Sequence, residues 1–194
     1  MKGRRELRSP ILIVSAGSEM REILSTPRLL LREITLADLP GLYRIFSDPV
    51  CMRFYPAPKS YSETQAWFQE LAFDSYVQNG FGLWAVIRRD TGEPIGDCGL
   101  TLQRTPAGYE PEAGYHLWRG FWHQGLATEA AQGCVRYGLD ILRMPRVMSI
   151  TSPENLPSQR VAERVHRRRE AFTRISRASG QEVVRYLYFT DAEA

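Results

Sequence analysis

Cysteine is scarce in this 194-residue chain: there are three, Cys51, Cys98 and Cys134, far apart and with no pairing pattern. That excludes a disulfide framework and a thiolate zinc site, and it fits a reducing cytoplasm. No apolar run approaches the roughly 18 residues of a spanning helix, so a membrane partner is not expected. The ILIV stretch near the N-terminus is shorter than the ~7–15-residue core of a secretory signal. The three histidines, His116, His123 and His166, lack metal-ligand spacing, and no metal is expected. A Gly-Lys-Ser/Thr phosphate loop is missing, and so is a GxGxxG, which removes P-loop nucleotide hydrolysis and a dinucleotide Rossmann site. Lysine is nearly missing too. Of 25 basic residues only Lys2 and Lys59 are lysines, and the net charge is +3. That charge is too small for nucleic-acid binding by bulk field, although an arginine bias suits a phosphate-bearing ligand.

What is present describes one globular domain. Hydrophobic residues make up 43% and charged residues 24%, ordinary proportions for a chain long enough to bury a full core. Residues 1–24 read as an extension, disordered or an extra edge strand, and residues 25–194 as the domain. The run RLLLREI (Arg28 to Ile34) is strand-like. Thr35 caps a helix carrying Leu39, Leu42, Ile45 and Phe46 at helical spacing, and Pro49 stops it. Ser60 to Gln78 is a second helix, opening with Ser62 or Thr64 and ended by Asn79-Gly80. Three strands follow, Gly82 to Arg89, Pro94 to Arg104 and Tyr109 to Trp118, joined by turns at Asp90-Thr91-Gly92 and Thr105 to Gly108. A helix from Gly125 to Leu142, a strand from Arg146 to Thr151, a helix from Asn155 to about Arg168 and two closing strands complete the order. The fold class is α/β (α+β): a mixed, mostly antiparallel sheet of six to seven strands with about four helices on its two faces. The unit over 109–151 favours a parallel crossover.

FWHQGLATEAA (Phe121 to Ala131) places one glycine between an aromatic corner and a helix of small residues. It reads either as a plain turn or as an anion site. A helix start carries unpaired N–H groups and partial positive charge. Small residues at Gly125 and Ala127 would let a pyrophosphate reach the backbone, with Gln124 and Thr128 as added donors.

From Thr26 onward the chain resembles the GNAT N-acetyltransferase superfamily, in its ribosomal-protein-alanine acetyltransferase-like (RimJ/RimL-type) branch. The resemblance rests on TPRLLLREITLADLPGLYRIFSDP, LWAV with TGEPIGDCGL, EAGYHLWRGFWHQGLATEAA and SPENLPSQRVAER, in that order over about 26 to 165. It implies acetyl-CoA as cofactor, leaving as CoA. Trp122, His123, Gln124, Gly125, Leu126 and Ala127 fill the family's Gln/Arg-x-x-Gly-x-Gly/Ala loop around the pyrophosphate. His123 stands where the branch has glycine and Gln124 where it has lysine. A left-handed backbone at 123 would cost roughly 1 kcal/mol. His116, Leu117 and Trp118 match the strand end that pairs with pantetheine, their backbone N–H groups serving as the oxyanion device. Asn155 and Ser158 match the Asn-x-x-Ser pair, the first beside the pantetheine and also readable as an N-cap, the second beside the thiol, where the acid role is unfilled or passes to Ser158 or a water. The tyrosine common seven residues after that Asn is Ala162 here. The glycine common at the helix end is His166.

An amine acceptor needs a base. Alternation puts Glu112, Gly114 and His116 on one face of the strand. Glu112 leads as base, with an orienting partnership to an arginine as its other reading; Glu110 and Asp97 rank behind it. FYPAPKSY (Phe54 to Tyr61) is a substrate lid or packing. Arg167 to Arg169 read as a solvated face rather than a nucleic-acid site. The expected activity is direct acetyl transfer in a ternary complex to a small-molecule amine or a protein N-terminus. A non-catalytic acyl-CoA sensor of the same fold is the alternative. Oligomeric state stays open, a homodimer included.

Overall fold

The computed structural model describes residues 21–176 and 180–193. Residues 1–20 of the expected extension lie outside the described residues. Eight strands form one sheet in the order β1-β2-β3-β4-β5-β6-β8-β7. They are β1 Glu22–Ser25, β2 Leu29–Glu33, β3 Leu83–Arg88, β4 Pro94–Thr105, β5 Gly108–Leu117, β6 Arg146–Thr151, β7 Arg168–Ile175 and β8 Glu182–Asp191. The count exceeds the expected six to seven because Glu22–Ser25 pairs antiparallel with β2 at the sheet edge. All neighbours are antiparallel except β5 and β6.

Helix α1 spans Leu39–Phe46; α2, Tyr61–Phe68, continues through a π-helical stretch Gln69–Asp74 into α3, Ser75–Asn79. Ser60, rather than Ser62 or Thr64, caps α2. Its hydroxyl accepts the Glu63 N–H at 3.2 Å while the Glu63 carboxylate accepts the Ser60 N–H at 2.7 Å, a reciprocal capping box. Helix α4 is Leu126–Arg136, extended by a π-helical turn Tyr137–Ile141, and α5 is Leu156–Val165.

Strand β3 shows how the period of two divides the core. Leu83, Ala85 and Ile87 pack with Leu42, Phe46 and Phe68 of α1 and α2, whereas Trp84 and Val86 pack with Leu126, Ala130 and Cys134 of α4. Both faces of the sheet are thus covered, and each fully buried large side chain contributes roughly 1.5–3 kcal/mol of transfer free energy.

Two expectations change at the C-terminal end. Helix α5 stops at Val165, not near Arg168, because His166 adopts φ −108 and ψ 158, an extended backbone that leads into β7. An extended exit needs no left-handed glycine, so the family's glycine is dispensable here. His166 is itself the core anchor, 8% exposed, with Nε2 3.0 Å from Ser149 Oγ and Nδ1 3.3 Å from Thr190 Oγ1. Arg167 to Arg169 form an exposed run whose side chains meet Glu193, Asp191 and the Tyr186 ring, as a solvated face would.

Candidate active site

The parallel pair is where the sheet opens. β4 and β5 pair from Gly96–Leu117 down to Thr105–Gly108, whereas β5 and β6 share a single registered pair, Glu112 opposite Met148. Beyond it side chains replace the ladder. The Ser149 hydroxyl donates to the Ala113 carbonyl at 2.8 Å, and the Ile150 N–H donates to Glu112 Oε1 at 3.0 Å. The Tyr115 hydroxyl donates to the Ser158 carbonyl at 2.9 Å and lies 3.0 Å from Ser158 Oγ, a pair in which either hydroxyl can be the donor. The two strands part as they run toward Leu117 and Thr151, and the β5 edge is left open to a ligand's amides.

This geometry narrows the donors expected at 116–118. The Trp118 N–H donates to the Ile95 carbonyl at 2.9 Å and so faces β4. Antiparallel alternation turns the His116 backbone the same way and Leu117 toward the open edge. There the Leu117 carbonyl takes the Trp122 indole N–H at 2.8 Å. Of the three residues, Leu117 alone can offer its N–H to an oxyanion; the backbones of His116 and Trp118 are spent on the ladder. Asn155 serves as N-cap of α5, its Oδ1 accepting the Ser158 N–H at 3.1 Å. Ala162, where a tyrosine is common, is fully buried; the phenol near Ser158 comes instead from Tyr115 on the strand.

The anion side is built at the start of α4. Gly125 is its N-cap with φ 75, and no side chain caps the first turn, so the N–H groups of Leu126, Ala127 and Thr128 point outward unpaired by the helix. The Leu126 side chain is 3% exposed and belongs to the core, so only its backbone faces a ligand. His123 holds φ 62: the left-handed backbone the loop requires is adopted without glycine, at the cost expected from sequence. The exposed Gln124 side chain donates to the Gly120 carbonyl at 3.2 Å. The missing lysine is replaced from elsewhere. Arg119 pairs with Asp48 at 3.3 Å; Arg28, Arg88 and Arg89 line a pocket with Gln124, Leu126 and Asp90, the last paired with Arg88. Arg28 reaches the Gln124 carbonyl at 2.9 Å and Glu129 at 2.6 Å, fastening β2 to α4. Arg89 donates to the Thr26 carbonyl at 3.0 Å, a neutral partner that orients its charge. Bare amides, a left-handed glycine and three guanidinium groups together fit the pyrophosphate and phosphate of CoA.

The other face of β5 carries the candidate acid–base groups. Glu112, Gly114 and His116 share it, as alternation predicts, against α1 and α2. A Cβ built at Gly114 meets nothing within 4 Å, so open space separates Glu112 from His116. Burial pushes the Glu112 carboxyl up, against the Ile150 N–H, Arg174 and His116, which pull it down. The His116 ring touches Asp97, a lesser base candidate, and Tyr55 of the 54–61 loop: Nδ1 lies 3.0 Å from Asp97 Oδ2, and Nε2 lies 2.6 Å from the Tyr55 hydroxyl. The hairpin register was the available signal, since equal counts back from the turn at 105–108 pair Asp97 with His116. The loop holding Tyr55 was legible as a lid or packing, but no sequence signal placed its hydroxyl on His116.

Gly114→Ala is expected to fold as stably as the parent, because the added methyl meets no atom, and to lower kcat/KM roughly tenfold by occupying that space. Thermal unfolding and steady-state kinetics check it; unchanged kinetics would mean that no substrate enters between Glu112 and His116.

A splayed parallel pair beside a bare helix start defines an acyl-CoA transferase class of site, and the comparisons agree. The family described as "Acetyltransferase (GNAT) domain" matches residues 28–168. The chain belongs to that family, and acetyl transfer from acetyl-CoA is its general activity. The uncharacterized N-acetyltransferase YoaA of Bacillus subtilis is 32% identical over 146 residues, covering 73% of this chain and 80% of its own. The solved acetyltransferase from Agrobacterium tumefaciens is 27% identical, with a TM-score of 0.69 over 96% of this chain and 99% of its own. RimL, a ribosomal L7/L12 alpha-N-protein acetyltransferase solved with coenzyme A, shares the fold at 17% identity, with a TM-score of 0.68 over 88% of this chain and 98% of its own. Among the described residues no helix is long and apolar enough to cross a membrane, and no group of three or more His, Cys, Asp or Glu could hold a metal ion.

Proposed function

We propose that the protein moves an acetyl group directly from acetyl-CoA to a primary amine in a ternary complex, the amine being a protein N-terminus or a small molecule. The observation that carries this is the open space at Gly114 between Glu112 and His116, beside the β5 edge that ends at the start of α4. Acetyl-CoA supplies the activated acyl group. The α4 amides of residues 126–128, with Gln124, His123 and Gly125 shaping the loop and Trp122 bracing it to Leu117, hold its pyrophosphate; Arg28, Arg88 and Arg89 hold its remaining phosphate. The Leu117 N–H faces the thioester oxygen, a fixed donor where charge develops. Asn155 orients the start of α5 so that Ser158, backed by Tyr115, gives a proton to the departing sulfur. Glu112 takes a proton from the amine. That RimL is a ribosomal L7/L12 alpha-N-protein acetyltransferase supports the N-terminal class of acceptor, and three free cysteines are in keeping with a reducing cytoplasm.

The test is thiol release from acetyl-CoA across a panel of amines that includes peptides beginning with Ala or Ser. Turnover with at least one acceptor is expected. Tight acetyl-CoA binding with no turnover on any amine would replace this reading with the sensor.

A further inference from the structure

Asp97 is fully buried, with Oδ2 on His116 and Oδ1 without a hydrogen-bond partner. A buried carboxylate with an unpaired oxygen is expensive, and an apolar cross-strand pair would build the same ladder at less cost. The arrangement has a direction. A carboxylate can only accept, so His116 Nδ1 carries its hydrogen, Nε2 presents a lone pair, and the Tyr55 hydroxyl donates to it. The groups facing His116 from each neighbouring element are Asp97 on β4, Glu112 on β5 and Tyr55 in the loop before α2. Helices α1 and α2 contribute the Phe46 and Trp67 rings, centroids 4.9 and 6.4 Å from the imidazole, and the Lys59 ammonium lies 4.6 Å over Trp67. The Tyr55 hydroxyl, 2.6 Å from His116 Nε2, lies on the strand face that Glu112 and the open position at Gly114 share.

Primary amines reach such a site mostly protonated, since N-terminal amines titrate at about 7.7–8.0 and lysine at about 10.4. The nitrogen must therefore lose two protons, one before attack and one after it, and Glu112 accounts for one. We infer that Tyr55 is a further catalytic residue that accepts the first proton from the acceptor ammonium, relayed by His116 and held in line by Asp97. This inference rests on the amine-transfer reading. As the ammonium N–H bond breaks, a new O–H bond forms on Tyr55, and the original Tyr55 proton moves to His116 Nε2. Positive charge passes from the ammonium to an imidazolium whose two N–H groups face Asp97 and Tyr55, and once the free amine has moved to the thioester the imidazolium returns its proton through the Tyr55 hydroxyl to water. Tyr55 touches the substrate; His116 and Asp97 act through it as positioning residues.

Two measurements test it. Nitrogen-15 NMR of histidine-labelled protein, without any ligand, is expected to show His116 as the Nδ1–H tautomer, with that signal shifted in Asp97→Asn. An Nε2–H tautomer overturns the relay whatever the turnover. With an acceptor peptide from the panel, Tyr55→Phe keeps the ring packed against Trp67 and His116. It is expected to lower kcat/KM roughly a hundredfold near neutral pH with acetyl-CoA affinity unchanged. The loss should shrink as pH rises past the amine's own pKa, where free amine needs no relay. A loss equal at every pH, or no loss, overturns the role. A parent protein that transfers to no amine overturns the transferase reading instead, and the NMR result then decides alone whether the hydrogen-bonded triad stands.

Discussion

Glu112→Gln is expected to lower kcat by two orders of magnitude or more while leaving acetyl-CoA affinity within about twofold. The split follows from what the side chain touches. Glu112 Oε1 accepts the Ile150 N–H where β5 and β6 part, and a glutamine oxygen can keep that bond and the splay with it. The elements proposed to bind phosphate, the start of α4 and the three arginines, lie elsewhere. What glutamine cannot do is take a proton. Burial raises the Glu112 carboxyl, which brings its titration nearer to working pH. The parent rate should therefore climb as pH rises through a limb above the ordinary carboxylate range, and the variant should lack that limb. Kinetics across pH, with acetyl-CoA binding measured separately, checks both statements; an unchanged rate with a good acceptor removes Glu112 as base.

The second large effect is on stability. Burial lowers the His166 pKa to about 4, from an ordinary value of 6.5. The sign follows from the direction of the shift. Above pH 6.5 the ring is neutral folded or unfolded, and its full contribution is present. As pH falls below 6.5 the unfolded chain binds a proton that the native ring refuses, and stability drains away until about pH 4. A shift of that size corresponds to roughly 3 kcal/mol. Carboxylates also titrate at the acid end, so the informative quantity is the difference from His166→Gln, which keeps polar atoms near Ser149 and Thr190 but does not titrate. Urea unfolding at pH 7 and pH 4.5 should show the parent losing about 2–3 kcal/mol more than the variant. Parallel losses would show that the ring is protonated in place.

These two residues mark how far sequence reading reached. Glu112 was legible because its face follows from a period of two along one strand. The conclusion that Glu112, Gly114 and His116 lie together needed no tertiary information. His166 was legible only as a missing glycine. That its backbone is extended, and its ring a bridge from Ser149 to Thr190, depends on β6 and β8 lying side by side in the sheet, the one before α5 in the chain and the other after it.

By itself the sequence determined the features governed by short-range rules: the caps and apolar stripes of the helices, the tight turns, the left-handed glycine before α4 and the alternation along β5. It also determined the Asp97–His116 pairing, since a two-stranded register is set by its turn, although that consequence was not drawn from it. Only the tertiary structure decided what depends on long-range packing. Arg28, Arg88 and Arg89 converge on the α4 start from the ends of β2 and β3. The β5–β6 ladder stops after Glu112. Tyr55 reaches His116 across 61 positions of chain. Spacing along the chain carries no record of such encounters, because they are fixed by how the helices α1 and α2 settle on a sheet whose own faces are filled first by the hydrophobic core.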